Sequence, residues 1–397
     1  MFNKGQRMRS IKALLISASL LIPAYAGSLE QAQYIHNRLA GVPASAETLL
    51  QMQSLIEQDD VQGAAALAVE HPDFYRVTLK LFASPWTNID QDIYEPLNDY
   101  SATVIGMVRD DVDFRQVLQA DLVYTADTTK VSVPAYQVNN NNHYQTLDEQ
   151  AIDLKANLIA RTQSELTDLP SEATAGILTS RAAAKAYFYL GTNRAMLRFT
   201  LMNHLCTDLE ALKDNTRPAD RIRQDVSRSP GGDSRLFLNN CLACHSGMDP
   251  LAQAFARYDY QFDSDTDPEG ENGQIIYSDS VVGKYHINAT TFPYGYRTEN
   301  DNWDNFWRQG INQKFGWSPA LSGSGQGAKS LGEELSNSRA FATCQVKKVF
   351  NSVCLRPPAS ETDNNQVTSL TDSFINNGYK LKQTFVEVAE YCSKENE

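Results

Sequence analysis

Apolar residues in the first third of the chain recur at the three- and four-residue spacing of amphipathic helices. Residues 46–56 and 61–69 are rich in Ala, Leu, Gln and Glu, good helix formers, and predict two helices. His71-Pro72-Asp73 breaks the pattern, and Val77, Leu81 and Phe82 resume it before Pro85. Val104, Met107 and Val108 predict another short helix. Phe114, Val117, Leu118 and Leu122 predict one more, with Asp113 as its N-cap. Residues 130–148 carry Pro134 and a run of asparagines, which is loop composition with one short strand expected at 130–133. Helical patterning returns at 182–189 and 195–205, parted by Gly191. Residues 217–232 read as a polar connection, and 263–333 as a loop-rich stretch of Gly, Asn, Asp and Trp. The tail carries three apolar helical faces: Val346, Val349, Phe350 and Val353; Val367, Leu370 and Phe374; then Leu381, Phe385, Val388, Ala389 and Cys392. No 20–50-residue period repeats, which argues against a solenoid. The fold class expected is mainly α, as several helical domains.

The first 26 residues read as an export signal. Lys4, Arg7, Arg9 and Lys12 precede an apolar run at 13–22, and Ala24-Tyr25-Ala26 is an A-x-A cleavage site, so the mature chain is expected to begin at Gly27. The apolar run is about half the roughly 20 residues that a spanning helix needs, and no later stretch qualifies. The localisation expected is periplasmic, with no transmembrane segment in the mature chain. Cleavage removes four basic and no acidic residues and takes the formal charge from −13 to −17. So acidic a chain is not expected to bind nucleic acid or an anionic membrane by charge, but it suits a basic protein partner. The mature length predicts two or three domains. The boundaries expected are 27–170 for an N-terminal helical domain, 171–332 for a middle region with a loop-rich second half, and 333–397 for a C-terminal helical domain.

The six cysteines divide unequally. Cys241-Leu242-Ala243-Cys244-His245 is C-x-x-C-H, the attachment motif of c-type haem. On a helix, positions i and i+3 share a face, so both thiols can form thioethers along one side of the porphyrin. His245, four residues from Cys241, projects from that face and can ligate the iron as the proximal ligand. Asp233 or Ser234 can cap the helix, and Gly247 and Pro250 are expected to end it. A structural zinc site wants a second close pair of Cys or His ligands, which the chain does not offer. A thiol–disulfide oxidoreductase wants the motif after a strand in an α/β pattern, and the surroundings here read as helical. Cys206, Cys344, Cys354 and Cys392 remain. In an oxidising compartment this even remainder predicts disulfides, with three connectivities open.

The sixth iron ligand is left open among His286, His204, Met202 and Met196, or a vacant position. Met248 lies too close to His245 to reach the opposite haem face. Leu251, Ala254, Phe255 and Tyr258 form a stripe suited either to a haem edge or to ordinary core packing. Asp263, Asp265 and Asp267 resemble the start of a calcium loop, but Pro268 and Gln274 stand where Gly and Glu are needed, so a solvated loop is expected.

The stretch 241–259, CLACHSGMDPLAQAFARYD, resembles the "CxxCH…MDPLGFAxExFD" segment of planctomycete-type cytochrome-like proteins. Residues 175–181 and 203–206 resemble the same family's approach to its haem motif. Residues 338–350 and 378–381 resemble the helical domain that follows it, and 111–122 more weakly the one before. The resemblance implies a cytochrome c-like haem segment, with one covalent haem c on Cys241 and Cys244 and its iron on His245. Relatives often carry a histidine shortly before the counterpart of Thr192-Asn193, where this chain has Phe188-Tyr189-Leu190.

Three functions follow as expectations. The first is electron transfer to a periplasmic redox partner, which makes the chain a carrier or redox subunit more than a stand-alone enzyme. The second is a haem enzyme or ligand sensor with an open sixth site near His286 or Arg297. A third is a partner- or glycan-binding protein with a structural haem, using the aromatic-rich stretch 285–317.

Overall fold

The opening helices form where their spacing predicts. The computed structural model describes residues 27–189, 191–286 and 292–394. The expected export signal, residues 1–26, lies outside the described residues. The chain begins with α1 (Ser28–Ala40), α2 (Ala46–Glu57) and α3 (Val61–Val69). Ser45 and Asp60 cap α2 and α3 by accepting from the N–H groups of Thr48 and Gly63. A π turn at Phe74–Thr78 runs into α4 (Leu79–Ala83), and α5 (Asp99–Arg109) follows behind a capping box made by Asn98 and Ser101. Three short helices, α6 (Asn142–Glu149), α7 (Leu154–Asn157) and α8 (Gln163–Leu166), lead to α9 (Arg181–Phe188) and α10 (Asn193–Leu205). Then come α11 (Ser234–Leu236) and α12 (Leu242–Ala252), and finally α13 (Gly327–Ser336), α14 (Arg339–Cys354), α15 (Glu361–Asn376) and α16 (Leu381–Lys394).

Strands are few. They form three antiparallel two-stranded sheets: β1 (Val123–Ala126) with β2 (Leu158–Arg161), β3 (Tyr258–Gln261) with β4 (Gln274–Tyr277), and β5 (Asn302–Asp304) with β6 (Ser324–Gln326). The molecule is mainly α, as its patterning predicts. Among the described residues no helix is long and apolar enough to cross a membrane.

The two ends of the chain meet. α16 packs on α1, α3 and α14. Phe385 on α16 sits edge-on to Phe74 and Phe82, at 5.2 and 5.3 Å between ring centroids. One cluster of buried apolar side chains runs from Ala32 to Cys392 and draws members from all three of the expected regions. Disulfides join Cys206 at the end of α10 to Cys344 on α14, and Cys354 at the end of α14 to Cys392 on α16. The four cysteines outside the motif thus pair among themselves, in one of the three connectivities.

Three local expectations are corrected. The strand expected at 130–133 lies instead at β1, whose four residues are all buried against neighbours, whereas 130–133 is half-buried to exposed. The helix expected to reach Leu122 is a 3₁₀ turn, Phe114–Leu118. Just beyond it the Ala120 carbonyl accepts from the Gly176 N–H at 2.7 Å. Gly247 and Pro250 do not end the motif helix but lie inside α12. Gly247 allows a close approach: a Cβ there would meet Trp307 Nε1 at 2.0 Å.

Candidate functional site

Asp233 opens the segment that carries the motif, accepting from the Arg235 N–H as its N-cap. Helical backbone then runs from Ser234 to Ala252: α11, a π turn at Phe237–Cys241, and α12. Cys241, Cys244 and His245 therefore lie on one helical stretch, as the spacing predicts. Both thiols are free and half-buried. Burial pushes the Cys244 thiol up, against the opposing charge of Lys213. A small second apolar cluster of Ile222, Val226 and Phe237 backs Cys241 and Leu242, and Leu236 and Leu238 project from the same segment as exposed apolar side chains.

His245 is held from one side. Its Nδ1 lies 3.1 Å from Asp249 Oδ1, one turn further along α12, while the imidazole keeps 22% of its surface exposed. Asp249 itself is fully buried. The Arg194 guanidinium grips it in a fork, Nε to Oδ1 at 2.6 Å and Nη2 to Oδ2 at 2.8 Å, and the Arg223 backbone N–H donates to Oδ2 at 3.1 Å. Burial alone would raise the Asp249 carboxyl, but the Arg194 charge and the hydrogen bonds from His245 and Arg194 hold it well below the usual carboxylate range. Arg194 also binds Asp225, at 2.6 and 2.9 Å. The Arg223 guanidinium donates to Asn193 Oδ1 at 2.7 Å and to the Tyr285 carbonyl at 3.0 Å. With Nδ1 occupied by a fixed carboxylate, Nε2 is the nitrogen left for a metal.

The candidates for a sixth ligand fall in different places. His204 is buried on α10, its Nε2 2.8 Å from the Tyr100 hydroxyl and its ring 5.5 Å from that of Trp86. Burial and the Lys348 charge hold it well below the ordinary histidine value. Met196 is buried in the main core, and Met202 is half-buried on the same helix. His286 ends a 3₁₀ turn, Gly283–His286, and lines a small cleft with Arg223, Asp225 and Tyr296. Of the four, His286 is the one that lines a cleft with Arg223 and Asp225, two residues of the network around Asp249. Arg297 lines the same cleft. The stripe of Leu251, Ala254, Phe255 and Tyr258 is wholly buried in the main core, so it serves packing. The loop at 263–267 is exposed, and Asp263 and Asp267 spend their carboxylates on local turns.

Sequence reasoning missed Asp249, Arg194, Asp225 and Arg223. Asp249 had a signal, the i, i+4 spacing from His245 on a helix. The two arginines and Asp225 had none, since 24 residues or more separate them from Asp249 along the chain. Among the described residues no three His, Cys, Asp or Glu side chains converge to hold a bare metal ion. An iron porphyrin brings its own four nitrogen ligands and asks the chain for thiols and an imidazole. Two free cysteines with an oriented histidine, beside exposed leucines, fit that requirement. No protein-family model, curated protein or solved structure matches the chain.

Proposed function

We propose that the protein is an exported mono-haem c-type cytochrome-like electron carrier, of the planctomycete-type family that residues 241–259 resemble. One observation carries the reading. Four cysteines are joined as disulfides, while the two of C-x-x-C-H remain free on one helical stretch with His245, whose Nδ1 is already engaged. Cys241 and Cys244 would hold the porphyrin as thioethers, and His245 Nε2 would bind its iron. A bound haem supplies a one-electron couple that needs no proton. Asp249 keeps the Nδ1 proton in place and fixes the ring. Arg194 and Arg223 in turn fix Asp249. The acidic surface suits a basic redox partner in the periplasm.

A second reading is a haem enzyme or ligand sensor with a vacant sixth position. Its support is that His204 is engaged with Tyr100 and Met196 is buried in the core.

The test is maturation. The chain is exported with the cytochrome c assembly machinery, and its pyridine-haemochrome spectrum and intact mass are measured. A c-type spectrum with the mass of one porphyrin, both lost in Cys241→Ala/Cys244→Ala, is the expected result. Colourless protein of unaltered mass would end the proposal. Carbon monoxide added to the reduced protein separates the two readings, because rapid and complete binding counts against a purely outer-sphere carrier.

A further inference from the structure

Far along the chain from the motif, a cavity of about 470 Å³ opens between α1, the segment 77–86 and α14. That volume lies within the range of small-molecule sites, roughly 300–1,000 Å³. Its lining changes with depth. Leu81 and Leu355 are 45% and 64% exposed, whereas Trp86 is 4% exposed. Phe82 meets Trp86 edge-on at 4.8 Å, so the inner wall is aromatic.

The charges in this cavity are one-sided. Lys348 and Arg38 both line it, and no Asp or Glu does. This is unexpected in a chain with 48 acidic and 35 basic residues. The Lys348 ammonium donates to the Asn203 carbonyl and sits 3.8 Å over the Trp86 ring. The Arg38 guanidinium lies 5.1 Å over the Tyr34 ring. Among the described residues neither cation has a carboxylate partner. An ammonium has three donors, and the Asn203 carbonyl takes one. Burial pushes Lys348 well below the ordinary lysine value, so the charged form is disfavoured until an anion binds beside it and restores it.

We propose that this cavity binds a small amphipathic carboxylate, its head group on Lys348 and Arg38 and its apolar body against Leu81, Phe82 and Leu355. The anion supplies the counter-charge that the chain does not, and its tail covers the exposed apolar side chains of Leu81 and Leu355 at the rim. The site is independent of the motif helix and of whatever that helix carries.

The probes are decanoate, decanol and decyltrimethylammonium, titrated below their micellar concentrations into the purified protein and followed by calorimetry. Decanoate is expected to bind at least tenfold more tightly than either of the others. In Lys348→Met, which keeps the stem and removes the charge, that advantage falls to twofold or less. In Arg38→Gln, at a half-exposed helix position that does not threaten folding, it falls at least threefold. Equal binding of decanoate and decanol, no binding of decanoate, or an advantage unchanged in the folded variants would each overturn the proposal.

Discussion

Asp249 accepts a hydrogen bond from His245 across one turn of α12 while fully buried and gripped by Arg194. The carboxylate is therefore both a structural charge and an electron-donating neighbour of the imidazole. Asp249→Asn keeps the shape and removes the charge. It is expected to cost about 3 kcal/mol, the low end for breaking a buried pair, because Arg194 keeps Asp225 as a partner. Urea unfolding measures this. In haem-loaded protein the same change should make the reduction potential more positive, since a weaker donor on Nδ1 favours the ferric state less. A potential at or below that of the wild type, with haem content intact, would dismiss the electronic role without touching the haem assignment.

Trp307 is wholly buried and rests on Gly247 of the motif helix. Gly247→Ala would improve helix propensity by up to about 1 kcal/mol, but its methyl collides with the indole. Overpacking at such a site costs about 1–3 kcal/mol. The expected outcome is a net loss, read as a lower thermal midpoint. A rise would mean that Trp307 moves aside freely.

The disulfides close loops of different size, with sequence separations of 138 for Cys206–Cys344 and 38 for Cys354–Cys392. Loop-closure entropy assigns them about 5 and 4 kcal/mol respectively. Replacing either pair by serine should therefore lower the urea midpoint, with Cys206→Ser/Cys344→Ser the more damaging. A loss under about 1 kcal/mol for that pair would show that α10 and α14 are held by packing alone.

Burial pushes His36, His143 and His204 below the ordinary histidine value. These side chains stay neutral in the folded state, while the unfolded chain takes up their protons near pH 6.5. The unfolded state then binds more protons in acid, so the stability they contribute is complete above about pH 6.5 and is lost as pH falls through and below it. Each contributes a slope of up to about 1.4 kcal/mol per pH unit. Unfolding at pH 7.5 and 5.5 should show the drop, and His204→Gln should show a smaller one. Comparing the two proteins cancels the other titrating groups.

Helix formation was legible in the long apolar stripes at 46–56 and 61–69, whereas the stripe after the Asp113 cap gave only a 3₁₀ turn. Ser45, Asp60 and Asp233 mark helix starts by chemistry that operates within three residues. The motif was legible for the same reason, since Cys241, Cys244 and His245 lie within about one turn of a single helical stretch. Gly247 and Pro250 misled as stop signals. Glycine also serves close packing, and what packs on Gly247 is Trp307, 60 residues away.

The sequence by itself determined the helical class, the helices at 46–56 and 61–69 and the placing of Cys241, Cys244 and His245 on one helical stretch, because these depend on neighbours within a turn or two. Only the tertiary structure decided the disulfide pairing, the meeting of α16 with α1 and α3, and the ring of Arg194, Arg223 and Asp225 around Asp249. Those depend on which distant segments are folded into contact. That choice is made by burial of apolar surface over the whole chain, a sum that no local pattern contains.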